Sequence, residues 1–158
     1  MDAFLETLND ERRLIKCQPM PRRWQSFSQA HNLVWDTLPF RRGGGAALPE
    51  TSGFYCFIVA NMLPNLPAVF YPLYAGETDN LRRRYRNYVT EKNSPNGRYH
   101  VRKFLHVFAG ETVFTFAQYD ADKADLRRIE KKLNDALMPP YSHRDYSAEV
   151  KAAKGAWQ

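Results

Sequence analysis

Gly53-Phe54-Tyr55, Leu73-Tyr74-Ala75-Gly76 and Asn80-Leu81-Arg82-Arg83-Arg84 are the pieces of sequence from which the fold can be read. The first opens an apolar run, Phe54 to Ala60, that predicts a strand. Val69 to Tyr74 predicts a second, and Pro72 within it suits an edge or a bulge. A polar turn, Glu77-Thr78-Asp79, then leads into a helix capped by Asp79 or Asn80. On that helix Leu81, Tyr85 and Tyr88 fall on one stripe, and Arg82, Arg83 and Arg86 fall elsewhere. Arg84 flanks the inward stripe. Two phenols and a half-inward arginine beside a strand–helix junction suit a phosphate better than a core.

Downstream, Thr112 to Tyr119 predicts a third strand, and Asp122 to Met138 a helix ended by Pro139-Pro140. Leu126, Ile129, Leu133 and Leu137 form its buried stripe, and Glu130 falls inside that stripe. A carboxylate there is costly to leave unpaired. Either a buried arginine such as Arg84 pairs with it, or it serves as a metal ligand. Between these elements, Asn61 to Pro67 and Glu91 to Gly97 read as loops, and Arg98 to Phe108 as a helix or an extended arm.

Upstream, Asp2 to Lys16 has helical spacing of apolar residues, and Arg22 to Leu38 predicts a second helix. Trp24, Phe27, Leu33, Val34 and Trp35 on it are more suited to core packing than to base stacking. Arg41-Arg42-Gly43-Gly44-Gly45 reads as a flexible joint. The domain division expected is 1–47 as a helical extension with its Gly-rich joint and 48–158 as the main domain.

A chain of 158 residues can bury a real core, and 44% hydrophobic with 14% aromatic content is a globular composition. No apolar run approaches the roughly 20 residues of a membrane span. The early residues lack a signal-peptide plan, and Cys17 and Cys56 make neither a disulfide framework nor a metal pattern. A cytoplasmic location with reduced thiols is the expectation.

The net charge of +6 is focused. Between Asp79 and His106 eight cations (Arg82, Arg83, Arg84, Arg86, Lys92, Arg98, Arg102, Lys103) face two acids, a surplus equal to that of the whole chain. Such a face is the footprint of a polyanion, and arginine's dominance over lysine leans toward phosphate contact.

Taken in order, these pieces resemble the GIY-YIG nuclease domain. Gly53-Phe54-Tyr55 stands where the family has Gly-Ile-Tyr, and Tyr74-Ala75-Gly76 where it has Tyr-Ile-Gly. Arg84, ten residues after Tyr74, falls at the family's helix arginine, and Tyr88 resembles the repair-endonuclease branch. The resemblance puts the family's glutamate at Glu130 and its asparagine at Ser142, and covers residues 48 to 144. Ser142 for asparagine, Glu77 where several relatives have lysine, and the long span between Tyr55 and Tyr74 are departures. His100, His106 and His143 match no motif position.

The resemblance implies a mixed α/β (α+β) fold with a small three-stranded, mostly antiparallel sheet flanked by helices and preceded by the N-terminal extension. It implies an endonuclease that hydrolyses DNA phosphodiesters with one Mg²⁺ (or Mn²⁺) on Glu130. Arg84 would stabilise the transition state, Tyr55 would help activate water, and Tyr74 and Tyr88 would position it. Arg82, Arg83, Arg86, Arg98, Arg102, Lys103 and Ser142 would contact the nucleic acid, with RNA open as well as DNA. A binding module that has lost cleavage is the alternative reading, and a basic protein–protein adaptor a third.

Overall fold

The computed structural model describes residues 20–61, 69–142 and 146–155. The expected helix over 2–16, together with Cys17, His143 and most of the Asn61–Pro67 connection, lies outside the described residues. The fold class is mixed α+β. Among the described residues the sheet has four antiparallel strands rather than three, in the order β1-β4-β2-β3. These are β1 (Asp36–Pro39), β2 (Gly53–Asn61), β3 (Val69–Thr78) and β4 (Thr112–Gln118).

The additional strand, β1, takes up the second half of the region read as one helix over Arg22–Leu38. Helix α1 covers only Pro21–His31 and ends where Asn32 adopts a left-handed conformation at φ 41. Asparagine tolerates this conformation, and its N–H closes the helix on the Ser28 carbonyl at 2.9 Å. The chain then pairs with β4, Thr37 opposite Thr115, with their hydroxyls 3.0 Å apart. Val34, read as a core residue, lies in the link between α1 and β1 and is 79% exposed.

β2 is apolar throughout because both of its faces are covered. Tyr55, Phe57 and Val59 face an aromatic core with Tyr74, Phe114 and Phe116, closed by helices α2 (Leu81–Asn93) and α3 (Tyr99–Val107). Phe54 and Cys56 face the other side, where α4 (Lys123–Leu137) contributes Leu126, Ile129, Leu133 and Ala136, and α1 contributes Phe27. Leu137 is only partly buried there. A last helix, α5, covers Ala148–Gly155.

β3 is the edge strand and its register slips at Phe57/Ile58, beside Pro72, as the proline implied. It continues to Thr78, so Glu77 and Thr78 end a strand rather than start a turn. Asn80 caps α2, its side chain accepting from Arg83 N at 2.8 Å. Asp122 caps α4 through Asp125 N at 2.9 Å. The Gly-rich joint is a short 3-10 turn, Gly44–Ala47, seated against Tyr85. The Tyr85 hydroxyl accepts from Arg41 N and donates to Arg41 O, both at 2.9 Å.

Candidate functional site

The two motif glycines admit the neighbours that shape the site. A Cβ at Gly76 would collide with the Tyr55 hydroxyl, and one at Gly53 with the Ala117 carbonyl. With no Cβ on Gly76, the Tyr55 ring lies across β3 and its hydroxyl meets that of Tyr88 at 2.8 Å. Both tyrosines are fully buried, and Tyr74 nearly so. The three rings pack with centroids 5.7 to 6.4 Å apart.

Two guanidiniums face these phenols. Arg84 stands with its central carbon 6.0 Å from the Tyr55 ring centroid, and Arg98 5.5 Å from that of Tyr88. The Arg84 Nε is buried and has no hydrogen-bond partner among the described residues. A desolvated donor on a fixed cation is an unspent binding group. Nearby Tyr55 raises the Arg84 pKa, so the charge is permanent. Arg98 is held by Glu91 through a bidentate pair at 2.7 and 2.9 Å, which raises its pKa further.

Burial, with Tyr88 and Tyr74 adding to it, pushes the Tyr55 phenol well above its ordinary value, and Arg84 offsets only part of this. Tyr55 therefore holds its proton tightly. In this arrangement its hydroxyl is a hydrogen-bonding group, shared with Tyr88.

Glu130 approaches from the opposite side of the same edge. Its Oε1 accepts from the Glu77 N–H at 3.2 Å, one residue beyond the glycine that the Tyr55 hydroxyl touches. Tyr55 and Glu130 thus meet the β3 edge at adjacent residues. Ser142 closes the edge further along. It is 1% exposed, and its hydroxyl accepts from Ala75 N at 3.0 Å and donates to Ala75 O at 3.2 Å. Tyr141 N donates to the Leu73 carbonyl at 3.0 Å. Tyr141, Ser142 and Glu130 together satisfy outward backbone groups at Leu73, Ala75 and Glu77 and so protect an edge strand.

Among the described residues no group of three or more His, Cys, Asp or Glu could hold a metal ion. A single part-buried carboxylate steadied by a backbone amide fits a hard cation that keeps most of its water, such as Mg²⁺ or Mn²⁺.

The residues expected to contact nucleic acid fall into two sets. Arg83, Arg86 and Arg98 are exposed on α2 and just before α3, with Arg83 bridging to Asp79. Arg82 is turned back onto the Leu48 carbonyl at 2.7 Å and onto Glu50. Arg102 donates to the Pro95 carbonyl at 3.1 Å, and Lys103 Nζ lies 5.6 Å over the exposed Tyr99 ring. Arg98, expected only as a nucleic-acid contact, belongs to the tyrosine cluster itself, and His100, which matches no motif position, packs 6.3 Å from Tyr74; Glu91, the carboxylate that aims Arg98, escaped the sequence reading. Nothing in spacing marks a pair formed across the gap between two helices.

Comparison with family models, curated proteins and solved structures gave no match. No helix among the described residues is long and apolar enough to cross a membrane.

Proposed function

We propose that this protein is a metal-dependent endonuclease acting on DNA. The observation that carries the reading is the convergence at Gly76-Glu77. A buried Tyr55–Tyr88 hydroxyl pair with Arg84 comes from one side, and the Glu130 carboxylate from the other. The chemistry of phosphodiester hydrolysis needs these two poles. Arg84 offers a permanently charged, unspent N–H donor to the non-bridging oxygens as negative charge grows on them. Tyr55 and Tyr88, whose buried hydroxyls are bonded to each other, would act on the phosphate through Arg84, which stands against the Tyr55 ring. Tyr74 packs against both rings. Glu130 would hold the divalent cation, which supplies positive charge at the scissile phosphate and the leaving oxygen. Arg83, Arg86 and Arg98 give the approach its positive field.

A second reading has its own support. Tyr55 does not act as a base at neutral pH, and Ser142 spends its hydroxyl on Ala75. On this reading the protein binds nucleic acid at the same face without cleaving it. Supercoiled plasmid incubated with the protein in Mg²⁺, in Mn²⁺ and in EDTA separates the two. Nicking that needs the cation supports the endonuclease. Binding in a gel shift without nicking in either metal supports the binder.

A further inference from the structure

Among the described residues the largely exposed Phe, Tyr or Trp side chains are Phe70, Tyr71 and Tyr99. Phe70 and Tyr71 lie near the start of the edge strand β3, and from Asn61 to Gly76 the sequence has no cation. Tyr99 is set differently. It is the first residue of α3, 58% exposed, and it follows Arg98, whose guanidinium lies on the Tyr88 ring. His100, the next residue, packs on Tyr74. The two residues that flank Tyr99 thus both belong to the tyrosine cluster, while Tyr99 itself is turned out beside it.

Arg102 and Lys103 follow Tyr99 by three and four positions and so share its side of α3. Lys103 Nζ covers one face of the ring, 5.6 Å from its centroid, and the side chain remains open to a partner. From Arg98 to Phe108 the sequence has three cations and no acid. The core needs none of this, because α3 reaches it through Val101, Phe104 and Leu105. An accessible ring among cations is the combination that binds single-stranded nucleic acid, where charge draws the backbone and every base has a face to stack. A base inside a continuous duplex is stacked between its neighbours and offers no face to a side chain. Successive Cα atoms are about 3.8 Å apart, so a strand whose phosphate meets Arg98 has an adjoining base within reach of Tyr99.

We propose that Tyr99 is a stacking platform for one unpaired base beside the phosphate at Arg98. The preferred substrate is then DNA in which a duplex arm, drawn to the cations of α2, adjoins single-stranded nucleotides, rather than a continuous duplex. The proposal rests on the reading of this face as the DNA interface and names the class of DNA it takes.

Fluorescence anisotropy of the full chain in EDTA, where metal-dependent cutting is blocked, tests it with a blunt duplex and the same duplex carrying a single-stranded tail. The tailed duplex should bind more tightly by about tenfold. Tyr99→Ala should remove that advantage while leaving the blunt duplex and the slope of log K against log salt unchanged, because no phosphate contact is lost. Tyr99→Phe keeps the ring and should bind both probes like the parent. Phe70→Ala removes an exposed ring away from the cations and should also bind like the parent. Equal binding of the two probes by the parent overturns the proposal whatever the variants do. A Tyr99→Ala protein that loses both probes alike, or neither, also overturns it, and in each of these cases the DNA interface stands. Binding of neither probe by the parent overturns the proposal and the interface together. Because the comparison uses no cleavage, a failure to nick plasmid would remove the endonuclease reading alone.

Discussion

The hydroxyls of Tyr55 and Tyr88 are 2.8 Å apart inside a core from which water is excluded. The phenols come from β2 and α2, so the bond ties strand to helix. Tyr88 has a second neighbour, since Arg98 also acts on its phenol, whereas Tyr55 depends on Tyr88. Tyr55→Phe should therefore cost about 1 kcal/mol and Tyr88→Phe about 2 kcal/mol or more, because only the latter strands a buried hydroxyl and loosens Arg98. The double Phe variant should cost less than the sum. Equal single effects that add would mean that the two hydroxyls act independently.

Most of the scaffold could be read from residues because its signals were local. β2 is one apolar run, α4 has a cap, a stripe and a double-proline stop, and Pro72 implied an edge. β1 could not be read. Four residues, mostly exposed and ending in proline, show no alternation, and pairing with β4 is what makes them a strand. The site divides in the same way. Arg84 and Tyr88 follow from helix geometry and Tyr55 and Tyr74 from their strands, while Arg98, in the link before α3, reaches Tyr88 held by Glu91, seven residues earlier near the end of α2. Ser142 looked like a group facing a ligand because sequence alone does not show what its hydroxyl already holds.

Glu130→Gln separates a metal ligand from a structural charge. Glutamine keeps an oxygen that can accept from Glu77 N–H, so the edge of β3 stays closed. Melting temperature should change by no more than about 2 °C. Mg²⁺-dependent nicking should fall by orders of magnitude, because a neutral amide is a poor ligand for a hard cation, while DNA affinity holds or rises. A destabilised protein that still nicks at near the parent rate would remove Glu130 from the site.

Arg83 and Arg86 are the exposed cations of α2, so they are the better probes of long-range attraction than Arg82, which is turned onto Leu48. If each neutralises one duplex phosphate, Arg83→Glu with Arg86→Glu should reduce the slope of log K against log salt by roughly 1.8. The loss should be similar on all sequences, because phosphate contacts carry no base information. Fluorescence anisotropy across a salt series measures it. An unchanged slope would move the binding face away from α2.

Burial raises the Cys56 thiol above its ordinary value of 9.0 and Tyr55 above 10.0. Above those values the unfolded chain gives up protons that the folded chain keeps. The folded state then binds more protons, and stability falls as pH rises. Each group contributes a slope of at most about 1.4 kcal/mol per pH unit. Cys56→Ala should be less stable than the parent at pH 7 by about 1 kcal/mol, from the lost packing, with the gap narrowing toward pH 10. Urea midpoints at the two pH values give the comparison, and a constant gap would mean that the thiol ionises freely within the fold.

Ser142→Ala tests whether the serine serves a phosphate or the sheet. Its hydroxyl is the partner of both the N–H and the carbonyl of Ala75, on a residue 1% exposed. Alanine removes one oxygen and strands two backbone groups where water does not reach. The cost should be about 1–3 kcal/mol, larger than the net worth of one hydrogen bond. Ala75 lies between Tyr74 and Gly76, so loosening it should also weaken nicking, as far as the fold suffers and no further. Ser142→Thr keeps the hydroxyl and should recover part of the stability if the added methyl is accommodated. A phosphate-contacting serine predicts the reverse pattern: an unchanged melting temperature in Ser142→Ala, with DNA affinity reduced and its salt slope shallower.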